Sequence, residues 1–194
     1  MAFLSLLDDR EKPKGSRDPL GFELVWSHYG RQVIGNLTTI TSSLTNFAVA
    51  LLGFKWANEM SAHLPEYARH ADVREAFLRY EQLTGYLRYI AGDQGIMGIT
   101  RVSRRIDDPK ETIAFGLEPD QQILSDQASY GLWGLYSSAM RDTQLVVGDN
   151  RLPTSLGLEI AAQIERRLDK DAMIRLLRSK RKIRRDDLAS FAKP

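Results

Sequence analysis

Six basic residues crowd one short segment near the end of the chain, and phosphate is the group that such a segment would bind. They fall within eight consecutive positions that contain no acidic residue: Arg178, Lys180, Arg181, Lys182, Arg184 and Arg185. Lysine and arginine displace the counterions condensed on nucleic acid, and contacts to the phosphate backbone carry no sequence information. We therefore predict that these residues bind nucleic acid without sequence preference. Docking on an acidic partner protein is the alternative.

The charge distribution along the chain agrees with a polyanionic partner. The whole chain has 27 Lys and Arg against 25 Asp and Glu, a net charge of +2. Residues 165–194 contain eleven basic and five acidic residues, a net charge of +6, so the first 164 residues carry a net charge of −4. Such a separation of an acidic body from a basic end is typical of proteins that meet polyanions.

Other residue types that perform chemistry are scattered or absent. The chain has no cysteine, which excludes disulfides, thiol catalysis and zinc sites with sulfur ligands. The three histidines, His28, His63 and His70, do not have the spacing of a metal motif. No two of the central acids are forced together for acid–base work: Glu75, Glu81, Asp93, Asp107 and Asp108. We predict a non-catalytic protein without metal, cofactor or small-molecule substrate. An enzyme with a scattered site, such as a nuclease, stays open as a third class.

The elements that must position these side chains are mostly helices. Apolar residues at spacings of three and four predict a first helix that begins near Asp18 and Pro19 and presents one apolar face, formed by Phe22, Val25, Trp26, Tyr29 and Val33. A second helix, from Phe47 to Ala62 with a cap at Thr45 or Asn46, is apolar on nearly all sides and should be central. A third, from residue 72 to 91, has two apolar faces and should pack between two layers.

A helix, a tight hairpin and another helix are predicted for residues 125–168. Ser125 or Asp126 caps a helix that ends near residues 145–146, and its buried stripe contains Leu132, Trp133, Tyr136 and Met140. Gly148 and Asn150 suit a hairpin turn. Thr154 or Ser155 caps the following helix, whose predicted core face is Ile160, Ala161, Ile164 and Leu168. If the basic tail is helical, Met173, Leu176, Leu177 and Ile183 form a partial apolar stripe and the basic residues cover the rest of the helix.

Two resemblances follow from these residues. The order leucine, hairpin, leucine, threonine, glycine resembles a segment of bacterial winged-helix proteins, matched here by Leu145, Leu152, Thr154 and Gly157, with Pro153 as one extra residue. The alternative is a plain helical hairpin with a long turn. Residues 77–96 (FLRYEQLTGYLRYIAGDQGI), together with residues 130–146, look like uncharacterised accessory proteins of bacterial phage-defence and restriction loci. That second resemblance implies no particular functional residue.

The sequence therefore predicts a mostly α-helical, cytoplasmic protein with no membrane contact. We expect a helical part at residues 1–91, a connection at 92–117, a winged-helix-like part at 118–168 and a basic C-terminal helix or tail at 169–194. The predicted function is a nucleic-acid-binding or adaptor subunit of a larger bacterial assembly, with other protein subunits as partners. A pure protein–protein scaffold, whose basic tail docks an acidic partner, is the alternative function.

Overall fold

A computed structural model describes residues 21–34, 37, 40–108, 112–179 and 182–191. The protein is mostly α-helical with a few short strands. In chain order its elements are α1 (Phe22–Ile34), α2 (Leu44–Ser61), α3 (Glu66–Ile90), α4 (Ile99–Asp107), β1 (Thr112–Ala114), α5 (Gln127–Tyr130), α6 (Leu132–Leu135), α7 (Ser137–Asp142), β2 (Val146–Val147), β3 (Leu152–Pro153), α8 (Ser155–Glu165), α9 (Lys170–Ser179), β4 (Lys182–Arg184) and α10 (Arg185–Phe191).

Helix α1 belongs to one compact unit, and the other elements belong to a second unit. The helix predicted from the apolar spacing is present, and its apolar residues are exposed in the structure: Phe22, Val25, Trp26, Tyr29 and Val33. The start predicted at Asp18 and Pro19 lies outside the described residues. None of the described helices is long and apolar enough to cross a membrane.

Helices α2 and α3 form the centre of the second unit. α2 begins after Ser43, whose hydroxyl accepts a hydrogen bond from the Asn46 amide at 3.2 Å, so the predicted cap at Thr45 or Asn46 was wrong by two or three residues. α3 begins directly after Pro65 and not at residue 72, because proline is compatible with a helix start. The two helices approach closely at Gly53, where an added Cβ would lie 2.5 Å from the Tyr80 ring.

The core consists of two apolar clusters, and both α2 and α3 contribute to each. On one side Phe54 and Phe77 stack with their ring centroids 4.4 Å apart, in a cluster that also contains Trp133, Tyr136 and Met140. On the other side lie Trp56, Tyr80 and Tyr86 together with the apolar residues of the tail, Met173, Leu176, Leu177, Ile183 and Leu188. The predicted central position of α2 and the two apolar faces of α3 are thus confirmed. The apolar residues of the tail are buried in the protein's own core, with Ile183 on a strand and not on a helix.

The single helix predicted after Asp126 is wrong, because the segment is broken into α5, α6 and α7. Asp126 does cap it, since its carboxylate accepts from the Ser129 amide at 3.0 Å. The break occurs at Gly131, which is extended. The next amide, of Leu132, donates to the buried Glu81 carboxylate at 2.7 Å and not to a carbonyl of its own helix. A tertiary hydrogen bond therefore ends the first helical turn.

The predicted hairpin is present as β2 and β3, in which Val146 pairs with Pro153 and Val147 with Leu152. Thr154 caps α8 as predicted, and its hydroxyl accepts from the Gly157 amide at 3.1 Å. The core face predicted for α8 is right only in part: Ala161 is buried and Ile164 half-buried, whereas Ile160 and Leu168 are exposed. They are exposed because α8 meets α2 through the side that contains Gly157 and Ala161.

The tail returns to the middle of the chain. Strand β4 pairs antiparallel with β1, so that Ile183 lies opposite Ile113, and α9 and α10 pack on α3. The segment that was predicted as a C-terminal helix or tail is thus helix, strand and helix. The predicted division of the chain into four parts stays a prediction.

Truncation of Trp133 should test the core. Its ring is 5% exposed and meets both Phe54 and Phe77, with ring centroids 5.7 and 5.4 Å away. We expect Trp133→Ala to lower the free energy of unfolding by about 3–5 kcal/mol in urea titrations. Tyr67→Ala, at a side chain that is 90% exposed, is the matched control and should change it by less than about 0.5 kcal/mol. Equal effects of the two substitutions would contradict the packing described here.

Candidate nucleic-acid interface

Four of the six predicted binding residues lie within the described part of the chain. Arg178, at the end of α9, is exposed, as are Lys182 and Arg184 on β4, whereas Arg185 is half-buried. Lys180 and Arg181 lie outside the described residues. The structure therefore offers three exposed cations from the predicted set.

The apolar residues of the tail determine where these cations point. Successive side chains of a strand point to opposite faces. Ile183 enters the core, so Lys182 and Arg184 face outward on either side of it. In α9, the buried residues Met173, Leu176 and Leu177 fix the helix face in the same way. Burial of the apolar tail residues in the core thus leaves the neighbouring basic side chains exposed.

Not every cation in this region is available for phosphate. Arg184 lies 3.9 Å from the exposed Asp186 carboxylate, a weak surface pair. The buried Nε and Nη2 atoms of Arg185 have no hydrogen-bond partner in the described structure, and we do not count this side chain among the available cations. Arg178 borders a cleft that also contains Asp72 and Glu75. The most clearly positive surface is therefore the outward face of β4.

A neighbouring arginine-rich helix, α4, serves the fold. Arg105 donates hydrogen bonds of 2.6–2.8 Å to the Tyr86 hydroxyl and to the carbonyls of Asp120, Gln121 and Gln122. Arg101 also donates to the Gln122 carbonyl, at 3.3 Å. These two arginines hold the loop before α5 on α3 and α4, which leaves Arg104 as the exposed cation of this helix.

Sequence reasoning missed a second group of cations beside the hairpin. The Arg151 guanidinium carbon lies 3.9 Å from the centroid of the Trp133 ring, and its Nε donates to the Ser137 hydroxyl at 2.9 Å. Burial and the nearby charges of Arg141 and Arg74 lower the pKa of Arg151 to about 10, against the opposing effect of Asp149. These arginines are far apart in sequence, so no run of consecutive basic residues indicates that they form a group.

The central acid Glu81 lies in the core, within a polar network. Glu81 is 3% exposed, and burial raises the pKa of its carboxyl to about 7, although hydrogen bonds from Leu132 and Gln127 oppose that rise. Gln127 in turn receives a hydrogen bond from Gln82 at 3.0 Å, so Glu81 belongs to a buried, satisfied polar network. Among the described residues, no three His, Asp or Glu side chains gather as metal ligands would.

Comparisons with known proteins add no relative. No protein-family model, curated protein or solved structure gives a significant match to the chain.

The buried Glu81 should make stability depend on pH. Between about pH 4.5 and 7, the folded protein keeps a proton on Glu81 that the unfolded chain has released. The free energy of unfolding should therefore fall with rising pH across this window, by about 3 kcal/mol in total. Glu165 acts in a lower window: burial raises its pKa, but hydrogen bonds from Lys55, Trp56 and Lys170 outweigh this and lower it to about 2. Its contribution is lost only as the pH falls from 4.5 towards 2.

The measurement is urea unfolding of wild type and Glu81→Gln at several pH values. The uncharged amide should remove the fall between pH 4.5 and 7, whatever constant offset the lost hydrogen bond adds. Glu159→Gln, at an exposed position of α8, is the control and should keep the wild-type pH profile. Parallel profiles of wild type and Glu81→Gln would show that Glu81 is ionised throughout.

Proposed function

We propose that this protein is a non-catalytic subunit that binds the phosphate backbone of nucleic acid, without sequence preference, within a larger bacterial assembly. The observation that carries the proposal is the arrangement of the tail. Its apolar residues are buried in the protein's own core, while Arg178, Lys182 and Arg184 remain exposed. Because the apolar stripe is already buried within the protein, the tail presents its cations, and not its apolar residues, to a partner.

The physical basis of the proposed binding is counterion release. Each phosphate neutralised by lysine or arginine frees condensed cations, and the affinity then falls steeply with salt. The outward face of β4 presents Lys182 and Arg184 two residues apart on the same face of the strand. Adjacent phosphates along a nucleic-acid strand are the natural target of such a pair.

The helix–hairpin–helix segment supports a winged-helix-like module as part of the proposal. Three of the residues that carry the resemblance are joined by hydrogen bonds. The Thr154 amide donates to the Leu145 carbonyl at 3.0 Å, and the Thr154 hydroxyl accepts a hydrogen bond from the Gly157 amide. Winged helices contact the nucleic-acid backbone with hairpin tips and helix ends. We extend the proposal to a role in phage defence, on the resemblance of residues 77–96 and 130–146 to accessory proteins of such loci.

A protein–protein scaffold is the second candidate, and a different observation favours it. Large apolar side chains are exposed on the hairpin and on α8: Val147, Leu152, Leu156 and Ile160 are 50%, 52%, 51% and 36% exposed. Exposed apolar residues that are close together are typical of surfaces covered by a partner. In an adaptor subunit the two activities are compatible, because the apolar residues and the β4 cations belong to different elements.

A salt titration of nucleic-acid binding tests the proposal. If wild type engages four phosphates of a random-sequence DNA duplex, log affinity should fall against log salt with a slope of about −4. Replacement of Arg178, Lys182 and Arg184 by alanine should flatten this slope by about 2–3 and weaken all sequences alike.

The matched control conserves charge. A variant with Arg178→Lys and Arg184→Lys keeps every cation and should retain the wild-type slope. If wild type does not bind DNA or RNA even at low salt, the proposed function is wrong and the scaffold takes its place. A slope that is identical in wild type and the alanine variant would place the binding surface elsewhere on the protein.

A further inference from the structure

The starting observation is a guanidinium that the core holds beside the turn of the hairpin, where Arg151 directly precedes β3. Arg151 has a left-handed backbone with φ of 50°, its guanidinium covers the Trp133 ring, and its Nε bonds to Ser137. Ser137 and Trp133 are 2% and 5% exposed, so both supports of the guanidinium are fixed by the core. Because the guanidinium is already held in one orientation, it loses little conformational entropy when it binds an anion.

Two further arginines face the same place. His70 on α3 lies with its ring centroid 6.1 Å from that of Trp133, and Arg74 follows His70 by one helical turn. Arg141 follows Ser137 by one turn on α7. In the described part of the chain, the side chains of Arg74 and Arg141 make no hydrogen bond or ion pair, and both are exposed. Their charges act on Arg151, with Asp149 as the acidic residue that opposes them.

We propose that Arg74, Arg141 and Arg151 form a phosphate-binding site beside the turn of the hairpin. Three guanidiniums near one another repel, and a bound phosphate removes that repulsion while it accepts their charge-assisted hydrogen bonds. The phosphate group has two sources, a phosphodiester of nucleic acid or free inorganic phosphate. In the first case the site rests on the function proposed above and deepens it, since it is a second contact apart from β4.

An exposed tyrosine beside the site favours a single strand as the source. Tyr67 is 90% exposed and lies three residues before His70 on α3, on the same helix face as Arg74. Unpaired bases stack on exposed aromatic rings, and a basic residue next to the ring holds the adjoining phosphate. The face of α3 formed by Tyr67, His70 and Arg74 combines both features.

The experiment uses the full chain and two probes, inorganic phosphate and a short oligothymidylate. Phosphate is titrated at constant ionic strength, set with sodium chloride, and followed by the Arg151 Nε–H signal in NMR spectra of isotope-labelled protein. Oligothymidylate binding is followed by fluorescence anisotropy. The test variant is Arg74→Ala with Arg141→Ala, because these exposed side chains support no other group and their loss should leave the fold intact. The control is Arg104→Ala with Arg167→Ala, which removes two exposed arginines elsewhere.

The expected result is a loss of phosphate affinity of about tenfold or more in the Arg74/Arg141 variant, with no change in the control. For a single-strand ligand, oligothymidylate affinity should fall in the same variant. Tyr67→Ala should then weaken oligothymidylate binding and leave phosphate binding unchanged. If phosphate binding depends on Arg74 and Arg141 but oligothymidylate binding does not, the site stands with free phosphate as its ligand.

Equal phosphate binding by wild type and the Arg74/Arg141 variant would overturn the site, whatever the oligothymidylate result. The function proposed for the tail fails separately. Its failure would appear as an absence of oligothymidylate and duplex binding in wild type, with phosphate binding and its dependence on Arg74 and Arg141 intact.

Discussion

The close approach of α2 to α3 at Gly53 is the constraint on which the rest of this structure depends. A Cβ at that position would overlap the rings of Tyr80 and Phe77, so only glycine lets the two helices meet with large aromatic residues between them. The aromatic side chains then extend to both sides of the pair. One side receives α6, α7 and α8, and the other receives β1, β4 and the terminal helices. Each basic surface is thus held by a different side of one helix pair.

The buried Glu81 is a second consequence of this central position. A carboxylate in an apolar core needs hydrogen bonds, and it obtains them from the Leu132 amide and from Gln127. Gly131 makes room for the arrangement, because an added Cβ would lie 2.7 Å from the Glu81 carboxylate. The acid therefore decides where α5 ends and α6 begins, and through α6 it orients Trp133. Because the Arg151 guanidinium lies over the Trp133 ring, the Glu81 carboxylate of α3 indirectly determines the position of Arg151.

Several features with a local signal were predicted well, although the Ser43 cap of α2 and the start of α3 after Pro65 were missed. The Asp126 and Thr154 caps, the hairpin turn and the apolar character of α2 all depend on neighbouring residues, and all were found. The break at Gly131 and the pairing of β4 with β1 depend on partners about fifty to seventy residues away, which no local pattern reveals. The same holds for the arginines beside the hairpin. The exposed tail cations were predictable because they lie within a few positions of one another in the chain, whereas Arg74, Arg141 and Arg151 are far apart in sequence.

The pairing of β1 with β4 also sets the order in which the protein can mature. Ile113 and Phe115 are buried beneath α9, β4 and α10, which a ribosome releases after all the elements that precede them. Until then, this side of the α2–α3 pair lacks its cover and presents an apolar surface. Proteins with such late closure are open to chaperone capture and to self-association during synthesis. Because β4 is ordered by its pairing with β1, the cations of β4 take up their exposed positions only once this part of the core has formed.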